Sequence, residues 1–194
     1  MIPLFVMAVM QGNHEGAFFR AVALILFVVM VIGDGLDGFV ARKLDQRTVL
    51  GAFLDPLADK LMMFCAYIFL TATVWPEPRL PRWVSTVVIS RDVLMGVGFL
   101  TLFVITGRFR MVSPSGIGKL CTVSQAATIV AVLAAPWLLK FVGAEVGMTV
   151  LKGMGLFTVF ITLFSGVDYL YAAHLCLADS DQVTLTVQDR PGRE

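Results

Sequence analysis

Apolar stretches long enough to cross a lipid bilayer recur along this chain, and they leave it few folds to choose from. A spanning helix needs ~20 mainly apolar residues. Runs from Ala17 to Ile32, Phe53 to Val74, Trp83 to Thr106, Ile117 to Val142 and Met148 to Ala173 meet or approach that length. Polar or helix-breaking segments separate them, among them Trp75-Pro76-Glu77-Pro78-Arg79-Leu80-Pro81. The 194 residues are 58% hydrophobic and 15% charged, against ~45–50% and ~25% in a soluble domain. An all-α, polytopic membrane helix bundle with about five full spans is expected.

Both ends of the chain depart from this pattern. The stretch Ile2 to Met10 is apolar but too short to span. It lacks the basic flank and small-residue cleavage site of a signal peptide, so it reads as the far end of a first helix whose beginning is missing. The tail, residues 176–194, is polar and has no apolar period from Asp179 onward, so an irregular or surface-lying segment is expected there. Basic residues gather in Arg42-Lys43-Leu44-Asp45-Gln46-Arg47 and between Arg108 and Lys119. The positive-inside rule puts those two loops, and with them the tail, in the cytoplasm. The loop with Arg79 and Arg82 is the exception. A net charge of +1 implies no nucleic-acid partner. The cysteines Cys65, Cys121 and Cys176 show no metal-site or disulfide spacing.

Against this apolar background stand four acids, Asp34, Asp37, Asp55 and Asp59. An ionised carboxylate at mid-bilayer costs ~2.5–3.5 kcal/mol on the insertion scale, and several together also repel one another. Spacings of three and four put each pair on one helical face. The short turn between them makes their helices antiparallel neighbours, so the carboxylates can converge. Oxygen ligands without histidine or cysteine suit a hard cation, Mg²⁺ or Mn²⁺. Four acids are more than one such ion usually takes from protein, which points to two. Gly35, Gly38, Ala41 and Gly51 lie at the same helix ends. Small residues there either let membrane helices pack closely or leave room for a flat nucleotide. Arg42 is a topology anchor or, beside the acids, a phosphate contact.

The pattern D-x2-D-G-x2-A-R-x8-G-x3-D-x3-D is matched at every fixed position by Asp34, Asp37, Gly38, Ala41, Arg42, Gly51, Asp55 and Asp59. At ~5% per position, chance would give this about once in 10¹⁰ start sites. The chain thereby resembles the CDP-alcohol phosphotransferases. The resemblance implies a bundle of six membrane helices, here with a truncated first helix, and a catalytic domain over residues 1–175. It also implies an enzyme of a bacterial inner membrane, its active site near the cytoplasmic face, often dimeric, that moves a substituted phosphate from a CDP-linked donor to an alcohol and releases CMP. On that likeness Asp34, Asp37 and Asp55 would ligate two divalent ions, with Asp59 beside them as a further ligand and as general base. Gly38, Ala41 and Gly51 would make room for the cytidine, and Arg42 would hold the donor phosphates.

The acceptor is to be read from the second half. Arg91 lies mid-span beside Asp92, and Arg108, Arg110 and Lys119 sit at the cytoplasmic end. Arg91 is either an ion-pair partner made for packing or, with the other cations, a binder of an acceptor phosphate. The stretch Gly118-Lys119-Leu120-Cys121-Thr122 resembles a segment of phosphatidylglycerophosphate synthases but has Cys121 where those usually carry Lys. Arg91-Asp92 replaces their usual Arg-Glu, and Ile89-Ser90-Arg91-Asp92-Val93 looks more like cardiolipin synthases. CDP-diacylglycerol as donor and glycerol 3-phosphate as acceptor is the main expectation, with phosphatidylglycerol as the alternative acceptor. A non-enzymatic cation carrier is the remote alternative, disfavoured because the acids cluster at two helix ends instead of running through the bilayer.

Overall fold

A computed structural model describes residues 1–15, 17–43, 49–72, 80–106 and 116–188, with side chains at 1–11, 17–33, 60–72, 80–98, 100–101 and 116–171. Six helices account for them: α1 (Ile2–Glu15), α2 (Ala17–Lys43), α3 (Val49–Ala72), α4 (Arg82–Thr106), α5 (Gly116–Val142) and α6 (Ala144–Gln188). There is no strand among the described residues. Four of the expected apolar runs fall inside a helix, and the run from Phe53 lies in α3 as far as Ala72, its last two residues being outside the described residues. Two helices in the described residues, Gly116–Val142 and Ala144–Tyr171, are long and apolar enough to cross a membrane.

α5 and α6 form a hairpin joined by the single residue Gly143. Its φ of 90° is left-handed backbone that glycine adopts without a Cβ clash. The Gly143 N–H donates to the Leu139 carbonyl at 3.1 Å, the bond that closes an αL helix terminus. Beyond the turn the two helices are held by hydroxyls. Thr128 Oγ1 lies 2.7 Å from Thr158 Oγ1, and the Thr158 hydroxyl also donates to the Ser124 carbonyl at 3.2 Å. Cys121 Sγ is 3.5 Å from Thr162 Oγ1. Small polar residues let apolar helices approach closely and bond across the contact.

The remaining helices pack around this pair. α1 lies on α2, with the Phe5 and Phe27 rings 5.8 Å apart. α1 and α5 each pack against both α2 and α3, and α4 packs between α3 and α6. Phe5, Val9, Phe27, Met63, Tyr67, Val84, Val88, Ile129 and Leu133 fill the shared core.

The outward faces of the bundle are apolar, unlike those of a water-soluble protein. Along α6, Phe157, Phe160, Phe164, Val167 and Tyr171 recur at helical spacing on the outer face, Phe160 being 66% exposed. Thr158, Thr162 and Ser165 are buried, at 2% or less. α4 repeats the pattern, with Val93, Leu94, Val97 and Leu100 outward and Ser85 and Arg91 buried. Outward apolar stripes of this extent fit lipid as the surrounding solvent. The polar tail departs from expectation. α6 continues as helical backbone through Gln188 instead of ending near residue 175, because each added residue extends a ladder already nucleated by the span before it.

Candidate active site

Asp34, Asp37, Gly38, Ala41 and Arg42 all lie on the helical backbone of α2. Gly51, Asp55 and Asp59 lie on that of α3. Each acid pair therefore shares a helical face. The side chains of these residues lie outside the described residues, as do Arg108 and Arg110. Among the described residues no three potential metal ligands come together.

Contacts along the described helices fix which ends meet. Lys60 on α3 pairs with Asp92 on α4, and Thr71 with Ser85, so the numbering runs in opposite senses and the two helices are antiparallel. Arg91 on α4 meets Ser165 on α6, and the Tyr169 hydroxyl donates to the Met95 carbonyl at 3.2 Å, so α4 and α6 run parallel. α6 is antiparallel to α5 through the turn at Gly143. The N-terminal end of α3 with Asp55 and Asp59, the C-terminal end of α4, and the N-terminal end of α5 with Lys119 thus lie at one end of the bundle. Lys43 closes α2 and Val49 opens α3, and the chain between them can span at most roughly 20 Å. The acid-bearing end of α2 is held to that same end. Direct antiparallel packing of α2 on α3 is not among the larger contacts of the described residues, where α1 and α5 bridge the two.

Arg91 is the best-defined predicted site residue. Only 7% of it is exposed. Its Nη1 donates to Asp92 Oδ1 at 2.7 Å, and its Nη2 donates to the Ser165 hydroxyl. The same Asp92 oxygen accepts from Lys60 Nζ at 3.0 Å. Arg91 Nε is buried without a hydrogen-bond partner. The Arg91–Asp92 ion pair, one of the two readings of this arginine, is present, and it leaves a guanidinium donor unmatched. Lys119, in the first turn of α5, is exposed. Its position adds a cation to the end of the helix dipole that attracts anions. Deeper in α5, Tyr67 donates to the Gln125 carbonyl at 3.2 Å.

Lys60 and Ser165 are absent from the expected site. Lys60 directly follows Asp59, and that adjacency was the available signal. Ser165 is 74 residues from Arg91, and nothing in its neighbourhood marks it. A cavity of about 530 Å³ between α4, α5 and α6, lined by Leu80, Trp83, Val84, Val132, Met148 and Lys152, holds no acid and none of the predicted residues.

Residues 1–164 match the family model described as CDP-alcohol phosphatidyltransferase. A probable phosphatidylglycerophosphate synthase of Mycobacterium tuberculosis is 34% identical over 176 residues, 89% of this chain and 76% of that protein. The CDP-diacylglycerol–glycerol-3-phosphate 3-phosphatidyltransferase of Bacillus subtilis is 36% identical over 148 residues, 75% of this chain and 69% of that one. The protein of the same name in Escherichia coli K12 is 32% identical over 184 residues, covering 92% and 91% of the two chains. A match of this extent, on a bundle with apolar outward faces and with its acid-bearing helix ends on one side, places the chain as a membrane enzyme in the CDP-alcohol phosphatidyltransferase family.

Proposed function

We propose that this enzyme transfers the phosphatidyl group of CDP-diacylglycerol to glycerol 3-phosphate and releases CMP. The observation that carries the reading is that the acid-bearing ends of α2 and α3 lie at the same end of the bundle as Lys119, in the first turn of α5. The names of the relatives from B. subtilis and E. coli favour glycerol 3-phosphate over phosphatidylglycerol as acceptor.

The donor set of Asp34, Asp37, Asp55 and Asp59 fits hard divalent cations, since all are carboxylates and each pair shares a helical face. When bound, two Mg²⁺ or Mn²⁺ ions would neutralise charge on the donor pyrophosphate and on departing CMP. The protein supplies the rest. Asp59 takes the proton of the acceptor hydroxyl. The freed oxygen attacks the phosphatidyl phosphorus, the bond to the CMP phosphate breaks, and CMP leaves with that bonding pair. Gly38, Ala41 and Gly51 give the cytidine room against backbone, and Arg42 holds the donor phosphates. Arg91, Arg108, Arg110 and Lys119 bind the acceptor phosphate. The positive-inside rule supports a cytoplasmic orientation for this end, and the bacterial relatives favour an inner-membrane enzyme.

CMP release from CDP-diacylglycerol by the purified protein, with glycerol 3-phosphate or phosphatidylglycerol supplied separately, tests the assignment. Glycerol 3-phosphate is expected to support turnover. Product from phosphatidylglycerol alone would reject it in favour of cardiolipin synthesis.

A further inference from the structure

A network centred on one carboxylate oxygen and the Arg91 guanidinium joins three helices. Asp92 Oδ1 accepts from Lys60 Nζ at 3.0 Å and from Arg91 Nη1 at 2.7 Å, while Arg91 Nη2 reaches Ser165 on α6. The three side chains grade inward, Lys60 being 38% exposed, Asp92 15% and Arg91 6%. Two cations on one anion leave the group with a net positive charge. One of the two cations is a buried guanidinium whose Nε has no acceptor. A buried charged donor is costly unless an acceptor reaches it, and an anionic ligand at Nε would be that acceptor. Lys60 is the residue after Asp59, so the same oxygen ties the guanidinium to the turn of α3 that carries the acid.

We propose that Asp92 is a positioning residue: it fixes the Arg91 guanidinium for the phosphate of the acceptor and holds it in register with α3 through Lys60. The proposal rests on the acceptor reading given above. An arginine side chain has many rotamers, and ordering it costs entropy. Asp92 and Ser165 meet that cost before the acceptor arrives, leaving Nε as the directed donor. A carboxylate serving packing alone would affect protein yield and stability, and would move both substrates' KM together or neither.

Steady-state CMP release, with the KM of each substrate measured separately, reads the difference. Asp92→Asn is expected to raise the KM for glycerol 3-phosphate about tenfold and to keep the KM for CDP-diacylglycerol within about twofold. Asp92→Glu, which restores the carboxylate one methylene farther out, is expected to recover most of the loss. Ser165→Ala and Lys60→Met each remove one brace and should raise the acceptor KM about threefold. These two carry the test if Asp92→Asn folds poorly. Wild-type turnover with glycerol 3-phosphate separates the two readings. Its absence overturns the acceptor assignment and the positioning role together. Wild-type turnover with an unmoved acceptor KM in the variants, or with both KM values rising alike, overturns the positioning role alone.

Discussion

Deleting either member of the Arg91–Asp92 pair should destabilise the fold, but by unequal amounts. Asp92→Leu leaves the Arg91 guanidinium, its side chain 6% exposed, with the neutral Ser165 hydroxyl as its acceptor among the described residues. Stripping a buried charge of its counter-ion costs ~3–5 kcal/mol, and a lone cation at the centre of a membrane helix ~2.5–3.5 kcal/mol. A loss of about 3 kcal/mol is therefore expected. Arg91→Met is a different case. Asp92 keeps Lys60 at 3.0 Å, and Lys60 is exposed enough to adjust. The lost charge-assisted bond is worth ~1.5–3 kcal/mol, partly offset because the unmatched Nε goes with it and a methionine of similar length stays buried. The net loss should be about 1 kcal/mol. Equilibrium unfolding in mixed lipid–detergent micelles, titrated with dodecyl sulfate and followed by far-UV circular dichroism, measures both. Equal losses, or a larger loss for Arg91→Met, would refute the view that Asp92 neutralises a buried cation.

Asp59→Asn should lower CMP release by ~10²–10⁴-fold while divalent-cation binding, measured calorimetrically, persists through Asp34, Asp37 and Asp55; near-normal turnover would remove Asp59 from the base role. Chelation of divalent ions should abolish transfer, and added Mg²⁺ or Mn²⁺ should restore it, with activity undiminished in chelator as the contrary result. Thr158→Val keeps the shape of the α5–α6 contact and deletes a hydroxyl that bonds Thr128 and the Ser124 carbonyl. Because Thr128 retains its own bond to the Ser124 carbonyl at 3.0 Å, the loss should stay near 1 kcal/mol in the same micelle titration.

Much of this fold is written in the apolar runs, because in lipid a helix is marked by length and hydropathy more than by periodicity. Ile117 to Val142 corresponds to α5 within a residue, and Trp83 to Thr106 to α4. The acid spacing likewise shows which faces of α2 and α3 carry the carboxylates, since helix geometry alone decides that. Less legible was anything that depends on two helices meeting. Asp92 was visible beside Arg91, but the third partner, Lys60, arrives from 32 residues away and Ser165 from 74. The buried hydroxyls of Thr128, Thr158 and Thr162 read in sequence as mild interruptions, and only packing gives them partners. The helical extension to Gln188 was missed because β-branched and acidic residues such as Asp179, Val183, Thr184 and Thr186 have weak intrinsic preference for helix.

The one-residue turn at Gly143 also bears on how the chain is made. Thr128 meets its partner Thr158 only 30 residues later. At ~5–20 residues per second, about 2–6 s separate the synthesis of Thr128 from that of Thr158, and for that interval Ser124 and Thr128 lack their α6 partner. With Gly143 alone between them, α6 starts directly beside the end of α5. The one-residue connection keeps the interval in which the polar seam of α5 lacks α6 near its minimum.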